Sequence, residues 1–154
     1  MGATSSAWAL CVAWAMAAAA LDDTPAPAAL PQERAWPAQT VTLRWQHSIE
    51  RVHWEETYAL PAPGAQPALT LERARVVGSG AGMEPGAQAR WRNGGFEWQP
   101  RTPVPWLLLA RSPFAAEHTL CVDGRCAALS TWLPTQAPAT DGVVRLRPCR
   151  PANP

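Results

Sequence analysis

The sequence predicts an all-β fold, a single antiparallel β-sandwich or barrel-like domain that follows a cleaved signal peptide. Proline accounts for 17 of the 154 residues, about twice its usual share, and this leaves little room for long helices. Several short segments alternate apolar and polar residues with period two, as half-buried strands do. Asn-Gly and Asp-Gly pairs between such segments are strong signals for two-residue hairpin turns.

The N-terminal residues Met1–Ala20 have the pattern of a secretory signal peptide. An unbroken apolar run, Ala7–Ala20, ends in four alanines, which predicts cleavage near Ala20. The run is too short to span a bilayer as a stable helix. Met1–Ser6 carries no lysine or arginine, so an uncleaved N-terminal anchor is the alternative interpretation.

The rest of the chain divides into a lead-in and one domain. Leu21–Pro37 is rich in alanine and proline, a composition typical of a flexible linker. Residues 38–150 then form the predicted β domain. This organisation indicates an exported protein, located in the periplasm or elsewhere in a bacterial cell envelope.

The predicted strands are short and regularly spaced, which favours a sandwich or barrel over a helical fold. Trp45 and Trp54 lie within alternating segments, so we expect them in the core rather than on a binding surface. Trp106–Ala110 is continuously apolar, which predicts a central buried strand. The strands are Val41–His47, Val52–Leu60, Leu69–Val77, Ala87–Trp91, Phe96–Trp98, Trp106–Ala110, Thr119–Val122, Arg125–Leu129 and Val143–Arg147.

The cysteines support an oxidising compartment. Cys11 would leave with the signal peptide, and Cys121, Cys126 and Cys149 would remain. A type I′ turn at Asp123-Gly124 places Cys121 opposite Cys126 in a non-hydrogen-bonded pair, within disulfide reach. We therefore predict a Cys121–Cys126 disulfide; the alternatives are a bond from Cys149 to either cysteine, or three buried thiols. No Cys-x-x-Cys pair suggests structural zinc.

Charge excludes several functions. All 13 basic residues are arginine and the formal net charge is +1. Without a cationic cluster to displace counterions from phosphates, we expect no nucleic-acid partner. Without lysine, Schiff-base chemistry and lysine-dependent phosphate loops are excluded.

The densest polar segment is His47–Glu56. A Ser–His–acid triad of His47, Ser48 and Glu50 is disfavoured, because adjacent strand residues point to opposite faces. Along a strand, His47 and His53 would be about 20 Å apart, too far for one metal ion. A turn at Glu50-Arg51 could close that gap, so a site from His47, Glu50 and His53 stays open.

A structural role for His47 is the third interpretation. His47 shares the predicted face of Val41, Leu43 and Trp45, so we expect it to point inward. Buried polar groups are normally hydrogen-bonded. The nearby acceptors that the sequence offers are Glu50 and Glu55.

Gly78–Pro85 looks only superficially like a phosphate loop. Its spacing is GxGxG, and Glu84 and Pro85 follow, where a phosphate loop requires a helix N-terminus. We expect these glycines to allow tight turns and close packing, with the loop placed against the His47–Glu50 turn.

Taken together, these segments resemble the bacterial family called domain of unknown function 1850. The matching strings are Leu43–Glu50, Glu55-Glu56, Gly78–Pro85, Leu107–Ser112, Leu120-Cys121, Cys126 and Val144–Cys149. Members of that family are often encoded beside TAXI-type TRAP transporters, which pair an extracytoplasmic solute receptor with membrane subunits. The resemblance therefore implies an accessory role in solute uptake, with the receptor or membrane subunits as partners. It implies no known activity.

We therefore expect a non-enzymatic periplasmic accessory protein without a cofactor, metal ion, catalytic residue or integral membrane span in the mature chain. The alternative is a small-ligand or metal-binding module centred on the His47–Glu50 segment and the Gly78–Gly82 loop. The candidate ligand- or partner-binding residues are His47, Ser48, Glu50, Glu55, Gly78, Gly80, Gly82 and Glu84.

Overall fold

The chain folds into two antiparallel β-sheets that pack face to face. The computed structural model describes residues 8–17, 21, 33–78, 88–135, 137 and 141–151. The smaller sheet has the strand order β2-β1-β12-β9. The larger sheet has the order β11-β10-β3-β4-β5-β7-β6, with β8 also paired to β5. This arrangement confirms the prediction of an all-β sandwich.

The strand bounds follow the predicted pattern in most of the large sheet. A short 3₁₀ helix, Leu129–Trp132, follows β11. In the described part of the chain, no helix is long and apolar enough to cross a membrane. The strands are β1 (Ala9–Ala15), β2 (Glu33–Pro37), β3 (Thr40–Gln46), β4 (His53–Ala59), β5 (Leu69–Val77), β6 (Arg90–Arg92), β7 (Gly95–Trp98), β8 (Thr102–Val104), β9 (Leu107–Ala110), β10 (Thr119–Val122), β11 (Arg125–Ala128) and β12 (Val143–Cys149).

The core lies between the two sheets and is mainly aliphatic, with aromatic rings packed against it. Alternate residues of each strand point inward, as the two-residue period of a strand requires. The small sheet contributes Leu10, Val12, Val144 and Leu146, and the large sheet contributes Val41, Leu43, Tyr58, Leu69, Leu120 and Val122.

Strand β1 lies within the segment predicted to be a signal peptide. It pairs with β2 on one side and with β12 along its whole length on the other. Leu10 and Val12 are fully buried, and Cys11 forms a disulfide with Cys149. Cleavage near Ala20 would remove this strand and one half of that disulfide.

Two other segments also differ from the predicted pattern. Glu33–Pro37, within the predicted flexible lead-in, forms strand β2 at the edge of the small sheet. The proline-rich stretch Pro100–Pro105, which is absent from the predicted strands, contains the short strand β8. Strand β2 pairs with β1, and β8 pairs with β5. Both partners are distant in sequence, so a local pattern does not reveal the pairing.

Both predicted two-residue hairpins are present. Asn93 and Gly94 join β6 to β7, and Asp123 and Gly124 join β10 to β11; all four residues have positive φ, as a type I′ turn requires. In the second hairpin Cys121 lies opposite Cys126. The predicted Cys121–Cys126 disulfide forms there.

A bulge in β5 changes which residues of that strand face the core. Tyr58 pairs with Leu71, but its neighbour Thr57 pairs with Arg73. Strict alternation would place Arg73 on the inner face with Leu69 and Leu71. The extra residue shifts the register, so Ala74 becomes buried while Arg73 stays partly exposed, as expected when one residue of a strand is left unpaired.

The prediction that Trp106–Ala110 forms a central buried strand is wrong. Strand β9 is an edge strand whose sole neighbour in the described part of the sheet is β12. Leu107 and Leu109 are half-buried, but Leu108 is 42% exposed and Trp106 is 37% exposed. An apolar run indicates burial only where both faces of the strand are covered, and here the outer face is open.

Candidate functional site

A cavity of about 280 Å³ opens at the end of the sandwich where the β3–β4 turn meets the loop between β9 and β10. This volume is near the lower end of the range for small-molecule sites. One wall comes from the large sheet and the other from the end of the small sheet. The lining residues are Trp45, Gln46, His47, Ser48, Ala110, Arg111, Ser112, Pro113, Ala115, Ala116, Glu117 and His118.

Backbone hydrogen bonds hold the β3–β4 turn in a compact form. The His47 amide donates to the Val52 carbonyl at 2.9 Å, and the Arg51 amide donates to the His47 carbonyl at 3.0 Å. Arg51 has a φ of 55°, the left-handed conformation that such a tight closure needs. The turn therefore fixes His47 at its base and exposes Ser48, Ile49 and Glu50 at its tip.

The side chain of His47 is oriented by the backbone of its own turn. Its Nδ1 accepts a hydrogen bond from the Glu50 amide at 3.2 Å. An accepting Nδ1 in a neutral imidazole leaves the proton on Nε2, which is then a donor. The partner expected from the sequence was a carboxylate, but the shortness of the turn brings the Glu50 amide to this nitrogen instead.

Glu55 lies on the opposite face of the large sheet from the cavity. Its carboxylate contacts Arg44 Nε at 2.7 Å and Arg73 at 2.8 Å. It pairs with Arg44 across β3 and β4, whereas the cavity-lining Trp45 is the next residue along β3. Glu55 thus belongs to a partly exposed ion-pair network on the outer face, and such pairs contribute little to stability.

Gly78 packs directly against the end of the β3–β4 turn. Its φ is +127°, and a Cβ at this position would lie 2.9 Å from Val52 Cγ1. Both the conformation and the contact favour glycine. The start of the glycine-rich loop therefore lies beside the His47 turn, and Gly80, Gly82 and Glu84 lie outside the described residues.

A row of aromatic rings runs from the cavity across the inner face of the large sheet. The rings of His118 and Trp45 are 6.0 Å apart, and Trp45 stacks on Trp54 at 5.9 Å. Trp98 meets Trp54 edge-on at 5.9 Å. Trp54 is buried, but Trp45 is only half-buried. Offset-stacked and edge-on rings pack favourably, so the row gives the cavity wall a rigid support.

His118 is a cavity residue that sequence reasoning missed. Burial lowers its pKa, and the nearby Glu117 carboxylate opposes that effect in part. A lowered pKa keeps the imidazole neutral at neutral pH, with one nitrogen as donor and the other as acceptor. Its position just before β10 offered no pattern that distinguishes it from a loop residue.

Arg111, which sequence analysis also missed, positions the loop that forms the second wall. Its side chain is only 3% exposed and lies 3.5 Å from Glu117 Oε1. Glu117 in turn accepts hydrogen bonds from the amide and hydroxyl of Ser130. A buried arginine needs a carboxylate and further acceptors to offset its desolvation. The ion pair therefore ties the cavity wall to the 3₁₀ helix.

Glu56 carries a perturbed carboxyl group on the inner face of β4. Tyr58 Oη donates to Glu56 Oε2 at 2.5 Å. Burial raises the pKa of Glu56, and the Tyr58 hydrogen bond lowers it in part. The pKa of Tyr58 is raised as well, first by burial. This acid is outside the cavity lining, and we assign it no chemical role.

The described residues contain no group of three or more His, Cys, Asp and Glu side chains that could hold a metal ion. His47, Glu50 and His53 are all among these residues, and the turn between β3 and β4 does not gather them. His53 pairs with Gln46 and is exposed, while His47 lines the cavity.

The family model for a domain of unknown function, DUF1850, matches residues 41–129. The chain belongs to the DUF1850 family. The matched segment contains every residue that lines the cavity. No curated protein and no solved structure matches the chain.

Proposed function

We propose that this DUF1850 protein is an exported, non-enzymatic accessory protein of a bacterial cell envelope, associated with a TRAP-type solute uptake system of the TAXI class. The family resemblance supports the association, because members are often encoded beside such transporters. The Cys121–Cys126 disulfide, which remains whether or not residues 1–20 are cleaved, supports an oxidising compartment such as the periplasm. In the uncleaved chain the Cys11–Cys149 disulfide supports it as well.

The observation that carries the proposal is a pair of exposed apolar side chains on the two loops that enclose the cavity. Ile49, at the tip of the β3–β4 turn, is 80% exposed, and Phe114, in the loop after β9, is 96% exposed. Each lies next to residues that line the cavity, Ser48 or Pro113. Large apolar side chains on both lips of a concave site favour a contact with another protein.

The surroundings of these side chains fit an interface with a polar rim. Glu50 and Arg51 follow Ile49 and are exposed. Recognition surfaces commonly combine apolar anchors at the centre with charged groups around them. The partner that we propose is the solute receptor or a membrane subunit of the transporter.

The test is affinity capture of the tagged protein from its own envelope after gentle crosslinking, followed by mass spectrometry. We expect the receptor or a membrane subunit to be recovered. The double variant I49E/F114E should reduce that recovery about tenfold or more, because each change replaces an apolar anchor by a charge. The variant E50R should also reduce recovery.

Two controls separate a lost contact from a lost fold. Trp91 is exposed on β6, the outermost strand of the large sheet and not part of the cavity lining, so W91E should leave recovery unchanged. E55Q changes the outer-face ion-pair network and should do the same. Failure of purified receptor and membrane subunits to bind the unmodified protein would refute the proposal.

A second candidate function is the binding of a small ligand in the cavity. The observation that favours it is a set of polar side chains beside a rigid aromatic wall: His47, His118 and Ser48 lie next to Trp45, and the Glu50 amide orients the His47 ring. Ligand pockets commonly combine such a wall with a few oriented polar groups.

Native mass spectrometry and a thermal-shift screen against a panel of small metabolites and divalent metals test this candidate. A ligand at a hundred times its Kd should stabilise the protein by about 2.7 kcal/mol. H47A should abolish the shift, and H53A, which changes an exposed histidine of β4, should not. Absence of any bound mass and of any shift would reject it.

A further inference from the structure

The four outermost strands of the two sheets differ sharply in how well they are protected against pairing with another chain. An edge strand exposes unpaired backbone N–H and C=O groups, and proteins commonly protect it with charges, prolines, short length or a covering segment. Three of the outermost strands, β2, β6 and β11, have such protection. The fourth, β9, is short as well, but it carries neither a charge nor a proline.

The protected edges carry charges, and each has a further feature. Strand β2 has Glu33 and Arg34 along its length, and Pro37 at its end. Strand β6 has three residues, of which Arg90 and Arg92 are charged. Strand β11 begins with Arg125 and runs into the 3₁₀ helix.

Strand β9 has neither charge nor proline. Its residues are Leu107, Leu108, Leu109 and Ala110, and the exposed Trp106 precedes them. On one side it pairs with β12; within the described residues its other side has no strand neighbour. In the part of the chain that the structure describes, every second backbone amide and carbonyl of β9 therefore points away from β12 without a β-sheet partner.

We propose that β9 pairs with β9 of a second copy of this chain, antiparallel and about a two-fold axis at Leu108. The two small sheets would then join into one continuous sheet. Antiparallel pairing of identical strands forms a closed, isologous interface, in which each contact occurs twice. This inference is independent of the transporter association.

The side chains are self-complementary in this register. Leu108 faces Leu108 of the second copy, and Trp106 faces Ala110 of the second copy on the same outer face. A large side chain thus lies opposite a small one, and no like charges are opposed. Leu107 faces Leu109 of the second copy on the inner face, where both residues already pack against the core. Cross-strand apolar pairs of this kind stabilise a sheet.

The short length of β9 limits the strength of the dimer. Stable dimers usually bury more surface than a pair of four-residue strands provides. We therefore expect a concentration-dependent dimer rather than an obligate one, with dissociation at micromolar concentrations.

Sedimentation equilibrium of the purified full chain tests the proposal over a range of about 1 to 500 µM. The unmodified protein should pass from monomer to dimer across this range. L108E should raise the dissociation constant at least about tenfold, because two carboxylates would then lie directly opposite each other. In the monomer the new carboxylate lies beside Arg145, the cross-strand neighbour of Leu108, so folding should be retained.

W91E is the matched control, since it adds the same charge at an exposed apolar residue of the edge strand β6. It should leave the dissociation constant unchanged. A monomer at every concentration would overturn the proposal, as would equal dimerisation of L108E and the unmodified protein.

Crosslinking locates the interface and does not depend on how L108E folds. The described cysteines are all in disulfides, so an introduced cysteine supplies the reactive thiol. With a short bismaleimide, L108C should give a covalent dimer, because Leu108 lies on the proposed two-fold axis, and W91C should not. A crosslinked dimer from W91C alone would place the interface at β6 and refute the proposal.

Discussion

The two disulfides connect the chain over very different distances. Cys121 and Cys126 are five residues apart and face each other across one hairpin. Cys11 and Cys149 are 138 residues apart and join neighbouring strands from the two ends of the chain. The first can form as soon as its own turn forms. The second requires β1 and β12 to have paired, so its geometry depends on the completed small sheet.

The two bonds should also differ in their effect on stability. In the chain-entropy model, a crosslink that closes 138 residues restricts the unfolded state by about 5 kcal/mol. A crosslink that closes five residues restricts it by about 2 kcal/mol. The long-range bond should therefore be the main covalent stabiliser of the sandwich.

The largest expected effect comes from removal of β1 itself. A chain that begins at Leu21 lacks the buried Leu10 and Val12, worth about 1.5–3 kcal/mol each, and also lacks the long-range disulfide. The sum approaches the whole stability of a typical domain, about 5–15 kcal/mol. We expect this chain to lose cooperative thermal unfolding by circular dichroism.

A chain that begins at Trp8 is the control, since it keeps all of β1, and it should unfold cooperatively. Equal melting temperatures for the two truncations would show that β1 is dispensable. Intact-mass measurement of the protein from its native envelope then shows where the mature chain begins, and so tests the predicted cleavage near Ala20.

Removing each disulfide in turn measures directly how much each one contributes to the stability of the fold. C11A/C149A should lower the free energy of unfolding by about 5 kcal/mol, and C121A/C126A by about 2 kcal/mol. Chemical denaturation of both double variants against the unmodified protein gives these values. A larger loss from the hairpin pair would reverse the ranking and argue that the unfolded state retains β1–β12 contacts.

Two glycine substitutions test the tightness of packing near each disulfide without changing a cysteine. Gly142 has a φ of +89°, and a Cβ there would lie 2.5 Å from the Ala15 carbonyl oxygen at the end of β1. G142A combines left-handed strain with overpacking and should cost about 3 kcal/mol or more. Gly124, in the cysteine hairpin, has a φ of +82° with nothing within 4 Å, so G124A should cost about 1–2 kcal/mol.

Denaturation midpoints of the two alanine variants check this difference. Similar costs would mean that the β1–β12 junction adapts to an added methyl group, and the small sheet would then be less tightly packed than the structure indicates.

The smallest effect should come from Glu56 and should not depend on either disulfide. Because burial raises its pKa in the folded state, the protonated form is favoured, and its stabilising contribution is lost as pH rises through the folded pKa. E56Q should thus raise stability slightly at pH 7, by less than any of the changes above, because the group is partly exposed and solvent screens it. Near pH 4 the gain should shrink, because Glu56 is then largely protonated.

Denaturation at several pH values tests this in the unmodified protein and in both cysteine double variants. A gain that grows at low pH would contradict the sign. A gain that disappears when one disulfide is absent would show that Glu56 responds to the packing of that region.

Part of the candidate site could be predicted from sequence. His47 and Ser48 were singled out from their dense polar segment, and both line the cavity. Glu55 was included for the same reason, but strand alternation places it on the outer face. Arg111 and His118 were missed because their loop meets the His47 turn only after the two sheets have packed together. No local pattern encodes that meeting.

Local backbone rules account for what the sequence determined by itself. Positive φ at Asn-Gly and Asp-Gly fixed both hairpins and, with them, the Cys121–Cys126 register. Alternation fixed β3 and β4, since the side-chain period of a strand is two residues. These features depend on residues that are close in sequence.

Only the tertiary structure decided where the remaining apolar segments lie. Ala9–Ala15 and Leu107–Ala110 are both apolar runs, yet one is a buried inner strand with a disulfide to the far end of the chain and the other is an edge. The apolar composition of a segment shows that its burial is favourable, by about 25 cal/mol of free energy per Å² of apolar surface. Its neighbours in the sheet determine how much of that surface is covered.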